Sequence, residues 1–310
     1  MDIKKNVLSL FNGMSFGKMA LESLDIKFNK YYSSEIDKYA NQATQALFPD
    51  TIQLGDVTQW REWDIDWASI DLVTGGFPCQ AWSMAGKQLG DKDERGMLFW
   101  TMLDIMKHVK YHNPKADFLI ENVKMKKEFE QYITTHTENA LGNVHKILIN
   151  SALVSAQNRN RYYWTSLPIG QPEDKGILFA DILERNVPDL YNHSLTGMDY
   201  LNRRGAGNRN RFDFGYIHEV KKDKSKCLVA NLYKGLPFNT LVDDCKNPPS
   251  RGNQTLCRKL TPRECFRLQT VPEHHIDTLL SAGISNSQLY KMCGNGWTME
   301  VIKHIFKGLI

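Results

Sequence analysis

Short apolar runs alternate with stretches of helical spacing through the first half of the chain, and this alternation limits the fold more than any other feature. A run that ends in a glycine turn and changes to 3.6-residue spacing is typical of a strand followed by a helix. The expected strands are residues 7–11, 31–34, 70–73 and 118–120, and the expected helices are residues 17–24, 39–47 and 98–109. The pattern predicts an α/β fold with a doubly wound, mostly parallel sheet and ligand sites at the carboxyl ends of its strands.

The composition and the apolar periodicity of the sequence change after Leu167-Pro168. Residues 186–252 are rich in Asn, Arg, Gly and Lys and have poor apolar periodicity, whereas residues 301–310 regain an amphipathic helical pattern. We therefore expect a large domain of residues 1–180 plus 288–310, and a small irregular domain of residues 181–287.

Composition excludes several classes of protein. The formal net charge of +4 and the pI near 8.6 permit a nucleic-acid partner without requiring one. The sequence has no apolar stretch of membrane-spanning length, and its first residues lack the apolar region of a signal peptide, so we expect a cytoplasmic chain with no membrane partner. Six cysteines without a Cys-x-x-Cys pair indicate neither a zinc site nor a disulfide framework, so no metal is expected.

Three successive strand ends carry residues suited to a nucleoside. Residues 11–17 read FNGMSFG at the first strand-to-helix turn, where glycine lets a ligand approach the backbone. Glu35 ends the second expected strand, and a carboxylate at that place binds the ribose hydroxyls in doubly wound nucleotide folds. Asp56-Val57 follows Gly55, where a carboxylate can accept from an adenine amino group and an apolar side chain can cover the ring. Together they predict an adenosyl pocket.

Residues 75–83, with the sequence GGFPCQAWS, place Cys79 after a proline at the end of the apolar run 70–73. Free cysteines are most often small buried hydrophobic residues. A cysteine at a strand-to-loop turn with neighbouring glycines can instead be held exposed and oriented, as a nucleophile requires. Position alone leaves both roles open.

Three segments in order resemble motifs of the cytosine-C5 DNA methyltransferases. They are GGFPCQ at residues 75–80, ENV at residues 121–123 and QNRNR at residues 157–161. The resemblance covers nearly the whole chain outside residues 186–252, and residues 260–269 (LTPRECFRLQ) are similar to the motif that organises the family's recognition domain. The adjacent Arg263-Glu264 pair of that motif is expected to be structural.

This resemblance implies an S-adenosylmethionine-dependent methyltransferase of Rossmann-like fold with a small target-recognition domain. The cofactor residues that it implies are Phe11, Gly13, Ser15, Phe16, Glu35, Ile36, Asp56, Val57, Gly75, Pro78, Leu98 and the late segment 294–297, including Asn295, Gly296 and Trp297.

The resemblance also implies the chemistry. Carbon 5 of cytosine is a poor nucleophile, so a thiolate, assigned to Cys79, first adds to carbon 6. Glu121 follows an apolar strand and is expected to neutralise N3 and hold the exocyclic amine. Arg159 and Arg161 are spaced two apart on an expected strand and would point to one side of it, where one binds the base carbonyl or holds Glu121 and the other binds nearby backbone.

The implied partner is double-stranded DNA, from which the target base must be flipped into the pocket. A polar loop at residues 83–96 matches the family's DNA-closing loop, and its Ser83, Lys87 and Arg95 would contact phosphates. Within residues 186–252, the expected DNA-binding residues are Arg203, Arg204, Arg209 and Arg211. The sequence leaves the oligomeric state open, a monomer included, and does not show the recognised DNA sequence.

Two departures from bacterial members are present. The first motif usually continues Phe-x-Gly-x-Gly-Gly, where this chain has Ser15 and Phe16, and the last motif usually ends Asn-Ser-Val rather than Asn295-Gly296-Trp297. Both resemble the eukaryotic de novo branch and its phage or bacterial relatives. Two alternatives remain: a cytosine-C5 methyltransferase acting on transfer RNA, whose usual Cys-Phe-Thr signature is absent here, and an inactive DNA-binding paralogue, which would typically lack Cys79, Glu121 or Glu35.

Overall fold

A computed structural model describes residues 5–78, 96–192, 217–218, 224–234, 241–243 and 257–310. These residues fall into two compact units. The first takes the described parts of 1–150, 160–172 and 299–310, and the second takes those of 151–159 and 173–298. The units therefore divide near 173 and 298, whereas the predicted small domain spans 181–287.

The first unit is built on a seven-stranded sheet in the order β3-β2-β1-β4-β5-β7-β6. Its strands are β1 Lys5–Leu10, β2 Phe28–Ser34, β3 Ile52–Gln53, β4 Leu72–Gly75, β5 Asp117–Val123, β6 His145–Asn150 and β7 Asn160–Thr165. The neighbouring pairs from β3 to β5 are parallel, and β7 runs antiparallel to both β5 and β6. The expected α/β class with a mostly parallel sheet is confirmed.

In the described part of the first unit, the α-helices are α1 Phe16–Glu22, α2 Lys38–Leu47, α3 Met97–His112, α4 Lys127–Leu141 and α8 Met299–Phe306. All four residues of β4 are buried, as expected for a central parallel strand covered on both faces. The core includes Leu8, Val73, Phe99, Met102 and Phe118. Each of the four strands predicted from apolar runs lies within or overlaps a strand of the structure, namely β1, β2, β4 and β5.

The second unit contains α5 Pro262–Leu268, α6 Glu273–Ser281, α7 Asn286–Asn295 and a three-stranded sheet ordered β10-β9-β8. Its strands are β8 Ile217–His218, β9 Leu241–Asp243 and β10 Cys257–Lys259. Thr261 caps α5 in a capping box with Glu264, and Pro262 occupies the first turn, where its missing N–H costs nothing.

The adjacent Arg263-Glu264 pair has separate partners. Glu264 is fully buried and accepts from the two terminal guanidinium nitrogens of Arg258, NH1 and NH2, at 2.8 and 2.7 Å. Arg263 instead binds Glu273 at 2.8 Å and Asp277 at 2.6 Å. This buried bidentate pair connects β10 to α5. Removing either charge would destabilise the unit, because the other charge would stay buried without a partner.

Over the described ranges, no helix is long and apolar enough to cross a bilayer. The same ranges contain no cluster of three or more His, Cys, Asp or Glu side chains that could hold a metal ion.

Candidate active site

In the turn after β1, every second residue has a left-handed backbone conformation: Phe11, Gly13 and Ser15 have φ values of 54°, 58° and 67°. A side chain at Gly13 would meet nothing within 4 Å, so glycine is favoured there by backbone conformation rather than by space. Phe11 is half-buried against the core, and Phe16 is buried in α1.

Ser15 occupies a left-handed position, which costs a non-glycine residue about 1–2 kcal/mol. Its hydroxyl is fully buried and lies 2.7 Å from Asn12 Nδ2 and 3.0 Å from Thr44 Oγ1. These hydrogen bonds offset the backbone cost and connect the turn to α2. The Ser15 side chain therefore supports the turn from behind, and the backbone is left to face a ligand.

Glu35 follows the last residue of β2 and holds the same turn. Its Oε2 accepts from Gly13 N at 2.9 Å, and its Oε1 accepts from Ile36 N at 2.8 Å and Asp37 N at 2.9 Å. Three backbone donors fix the carboxylate at the strand end. Ile36 beside it is 76% exposed, a large apolar side chain left open to solvent next to a charged one.

Asp56 and Val57 lie after β3. Asp56 is exposed, and its Oδ1 accepts from Thr58 N at 2.8 Å to cap the 3₁₀ helix Val57–Glu62. Val57 is buried in the core with Trp60, so little of its side chain is open to a ring.

Gly75 lies in close contact with the Met102 side chain of α3. A Cβ there would lie 2.7 Å from the sulfur of Met102, so a larger residue would require the Met102 side chain on α3 to shift. Pro78 is half-buried, and Leu98 is a partly buried residue of α3 packed against the core.

Glu121 lies near the carboxyl end of β5 and is 8% exposed. Arg161 is opposite Val123 in the antiparallel β5–β7 pair, which makes it a diagonal neighbour of Glu121. Its Nε lies 3.0 Å from Glu121 Oε1. The expected contact between one of the two arginines and Glu121 is present, in a largely buried ion pair.

Asn122 was not assigned a role from sequence, although it stands between Glu121 and Val123 in the ENV segment. Its side chain is buried, and its Nδ2 donates to the carbonyl of Phe77 at 3.0 Å. This bond ties β5 to the residues directly before Cys79. The signal in the sequence that could have indicated it was an amide directly after the apolar run 118–120 and Glu121, since a polar side chain at the end of a core strand needs a hydrogen-bond partner.

Arg159 lies before β7 and belongs to the second unit, so the expectation of two arginines on one strand is wrong for Arg159. Its NH2 donates to the carbonyls of Gly294 at 3.2 Å and Gly296 at 2.7 Å, and its NH1 to Leu228 O at 3.1 Å. Arg159 is 2% exposed. It thus holds the late segment that carries the predicted cofactor residues, as expected for the arginine that binds backbone.

Other buried groups hold that segment. Gln269 Nε2 donates to Cys293 O at 2.5 Å, and a Cβ on Gly294 would meet the backbone of Val229 at 2.2 Å. Within the late segment, Asn295 is exposed, whereas Gly296 and Trp297 are half-buried.

Eight predicted site residues lie outside the described residues. They are Cys79, Ser83, Lys87, Arg95, Arg203, Arg204, Arg209 and Arg211.

The strand order, the reversed β7 and the polar residues at the carboxyl ends of β1, β2 and β5 define a methyltransferase-like fold. The structure of Entamoeba histolytica methyltransferase EhMeth is similar in fold, with a TM-score of 0.75, 18% identity and 99% of each chain covered. The model of the C-5 cytosine-specific DNA methylase family matches residues 5–310.

Type II methyltransferase M1.ScrFI of Lactococcus lactis subsp. cremoris is 32% identical over 99% of this chain and 78% of its own length. Type II methyltransferase M.HpaII of Haemophilus parainfluenzae is 30% identical over 99% of this chain and 89% of its own. The chain belongs to the C-5 cytosine-specific DNA methylase family, and it is therefore an enzyme that methylates carbon 5 of cytosine in DNA.

Proposed function

We propose that the chain transfers a methyl group from S-adenosylmethionine to a flipped cytosine in double-stranded DNA through a covalent Cys79 adduct, in the manner of a type II modification methyltransferase. The observation that supports this most is the Glu121–Arg161 pair at the end of β5, tied through Asn122 to the segment before Cys79. Addition to the cytosine ring requires a nucleophile and an acid that act together, and these two roles are assigned to Cys79 and Glu121.

S-adenosylmethionine fits the residues at the ends of β1, β2 and β3. The backbone of the Phe11–Ser15 turn can approach a ligand closely, and exposed Ile36 can cover the adenine. Glu35 Oε2 accepts one backbone hydrogen bond, from Gly13 N, and keeps a lone pair for a ribose hydroxyl. Asp56 keeps one oxygen for its cap and offers the other to the adenine amine. The cofactor supplies the methyl group when bound.

The other predicted cofactor residues fall into two groups, those that support the pocket and those that stay candidates for direct contact. Val57 and Gly75 support the fold of the pocket wall, because one is buried in the core and the other packs on Met102. Asn295, Gly296 and Trp297 stay predicted cofactor residues, and Arg159 fixes their backbone.

We assign base recognition to the region of residues 186–252, with Arg203, Arg204, Arg209 and Arg211 as its candidate readers. An arginine that reads guanine discriminates by about 1–3 kcal/mol, whereas a phosphate contact acts equally on every sequence. Ser83, Lys87 and Arg95 are assigned to phosphates.

Bisulfite sequencing of DNA from a heterologous host that expresses the chain tests the reaction. We expect 5-methylcytosine at one short recurring sequence, and a Cys79→Ser strain serves as the control. Unmethylated DNA together with newly methylated transfer RNA would support the transfer-RNA alternative instead. No methylation in either nucleic acid, from folded protein, would contradict the proposed function.

Glu35→Ala is expected to weaken S-adenosylmethionine binding by about 1.5–3 kcal/mol, the scale of lost charge-assisted hydrogen bonds. Calorimetric titration measures it, with Glu62→Ala as the control, since Glu62 is an exposed carboxylate of the same unit. Thermal unfolding of both variants separates loss of the pocket from loosening of the turn that Glu35 holds. Unchanged affinity in folded Glu35→Ala would mean that the ribose lies elsewhere.

A further inference from the structure

Three lysines follow Glu121 within six positions: Lys124, Lys126 and Lys127. They begin directly after β5 ends at Val123, and all three are exposed. The strand that carries the buried acid therefore leads into a positively charged surface segment, which we call the post-β5 lysine segment.

The backbone of this segment directs its side chains outward. Met125 is 4% exposed and packs in the hydrophobic core, while Lys126 is extended with φ −60° and ψ 147°. Successive side chains of extended backbone point to opposite sides. With Met125 anchored inward, Lys124 and Lys126 are presented together to solvent, and Lys127 begins α4.

Among the described residues, the charge of the segment is only weakly neutralised. Lys126 Nζ lies 3.9 Å from Glu128 Oε1, and both side chains are about half exposed or more, which makes this a surface pair of small energy. Glu130, the next carboxylate on α4, is buried and pairs with Lys146. Lys124 and Lys127 thus add net positive charge beside the end of β5.

We propose that the post-β5 lysine segment binds DNA phosphates next to the target cytosine; this rests on the proposed function, in which the base lies at Glu121. An extended residue advances about 3.3 Å, so Lys124 lies within about 10 Å of Glu121 along the chain and Lys127 within about 20 Å. Phosphates of one strand recur every ~3.4 Å along the helix axis, so these distances reach only the first few nucleotides around the flipped base. Such contacts position the duplex and carry no sequence information.

The test uses the full chain with all three lysines changed, Lys124→Gln, Lys126→Gln and Lys127→Gln. Its matched control removes the same charge at the opposite edge of the sheet, Lys27→Gln, Lys30→Gln and Lys115→Gln, which are exposed lysines near the amino ends of β2 and β5. The equilibrium dissociation constant for a duplex containing the methylated motif is measured from 50 to 200 mM KCl.

Each lost phosphate contact should lower the slope of log affinity against log salt by about 0.9. If two or three lysines make contacts, the fourfold rise in salt weakens the wild type about 10–40-fold more than the variant. S-adenosylmethionine affinity and the methylated motif should not change, and the control should keep the wild-type slope.

A variant slope equal to that of the wild type, or an equal loss of slope in the control, would overturn the proposal while leaving the methylation reaction intact. Failure of the proposed function is distinguishable, because the wild type itself would then methylate no duplex. A variant that loses cofactor binding together with DNA binding would show that the segment acts through the pocket, which also contradicts it.

Discussion

Cys79→Ser is expected to abolish methyl transfer. A thiolate must add to carbon 6 so that the electron pair of the ring becomes available at carbon 5, which then takes the methyl group; loss of the carbon 5 proton finally expels the thiolate. A serine hydroxyl is a far weaker nucleophile at neutral pH than a thiol with a pKa of about 8.5. Among the cysteines whose side chains the structure describes, burial raises the pKa of the Cys265 and Cys293 thiols, which makes both of them poor nucleophiles.

Trapping the covalent enzyme–DNA adduct on duplex DNA that carries 5-fluorocytosine tests this prediction. Fluorine replaces the proton that must leave, so the wild-type adduct should survive denaturation in the presence of S-adenosylmethionine. Cys227→Ser is the control and should form the adduct normally, since Cys227 is half-buried in the second unit. A stable adduct with Cys79→Ser would place the nucleophile at another residue.

The parallel part of the sheet was predictable because its strands are buried on both faces. β1, β4 and β5 each contain a short run of buried apolar residues for that reason, with Ser9 as the polar residue inside the run of β1. β6 was not predicted, because it lies at the edge of the sheet and only Ile149 in it is fully buried. β3 has two residues, too few to produce a period.

Site residues could be predicted where they belong to a recognisable motif. The partners that determine the role of each residue could not be predicted. Ser15 was expected beside the cofactor, yet its hydroxyl turns to Asn12 and Thr44, because a left-handed residue in a buried turn needs internal partners. Gly75 was expected to bind the cofactor, and in the structure a Cβ there would lie 2.7 Å from the Met102 sulfur. Such partners come from other elements, which sequence spacing alone does not bring together.

Glu121→Gln is expected to slow methyl transfer by a factor of about 100 or more, the scale for a positioned acid. Glutamine keeps the shape of the side chain but cannot deliver a proton to N3 while carbon 6 is attacked. Arg161, at 3.0 Å from Glu121 Oε1, would then face an amide in place of its carboxylate in a largely buried position. The loss should therefore appear in the single-turnover rate, with S-adenosylmethionine affinity unchanged.

Glu130→Gln is the matched control for this variant. Glu130 is also a buried carboxylate of the first unit with a cationic partner, Lys146, but it lies on α4 rather than on β5. Loss of a charge from a buried pair destabilises both variants, so thermal unfolding should report similar shifts. Only Glu121→Gln should lose the single-turnover rate, because Glu121 lies near the end of β5 next to Asn122, which binds the Phe77 carbonyl two residues before Cys79, whereas Glu130 lies on α4. Near-wild-type turnover by Glu121→Gln, or an equal loss of rate by folded Glu130→Gln, would remove Glu121 from the reaction.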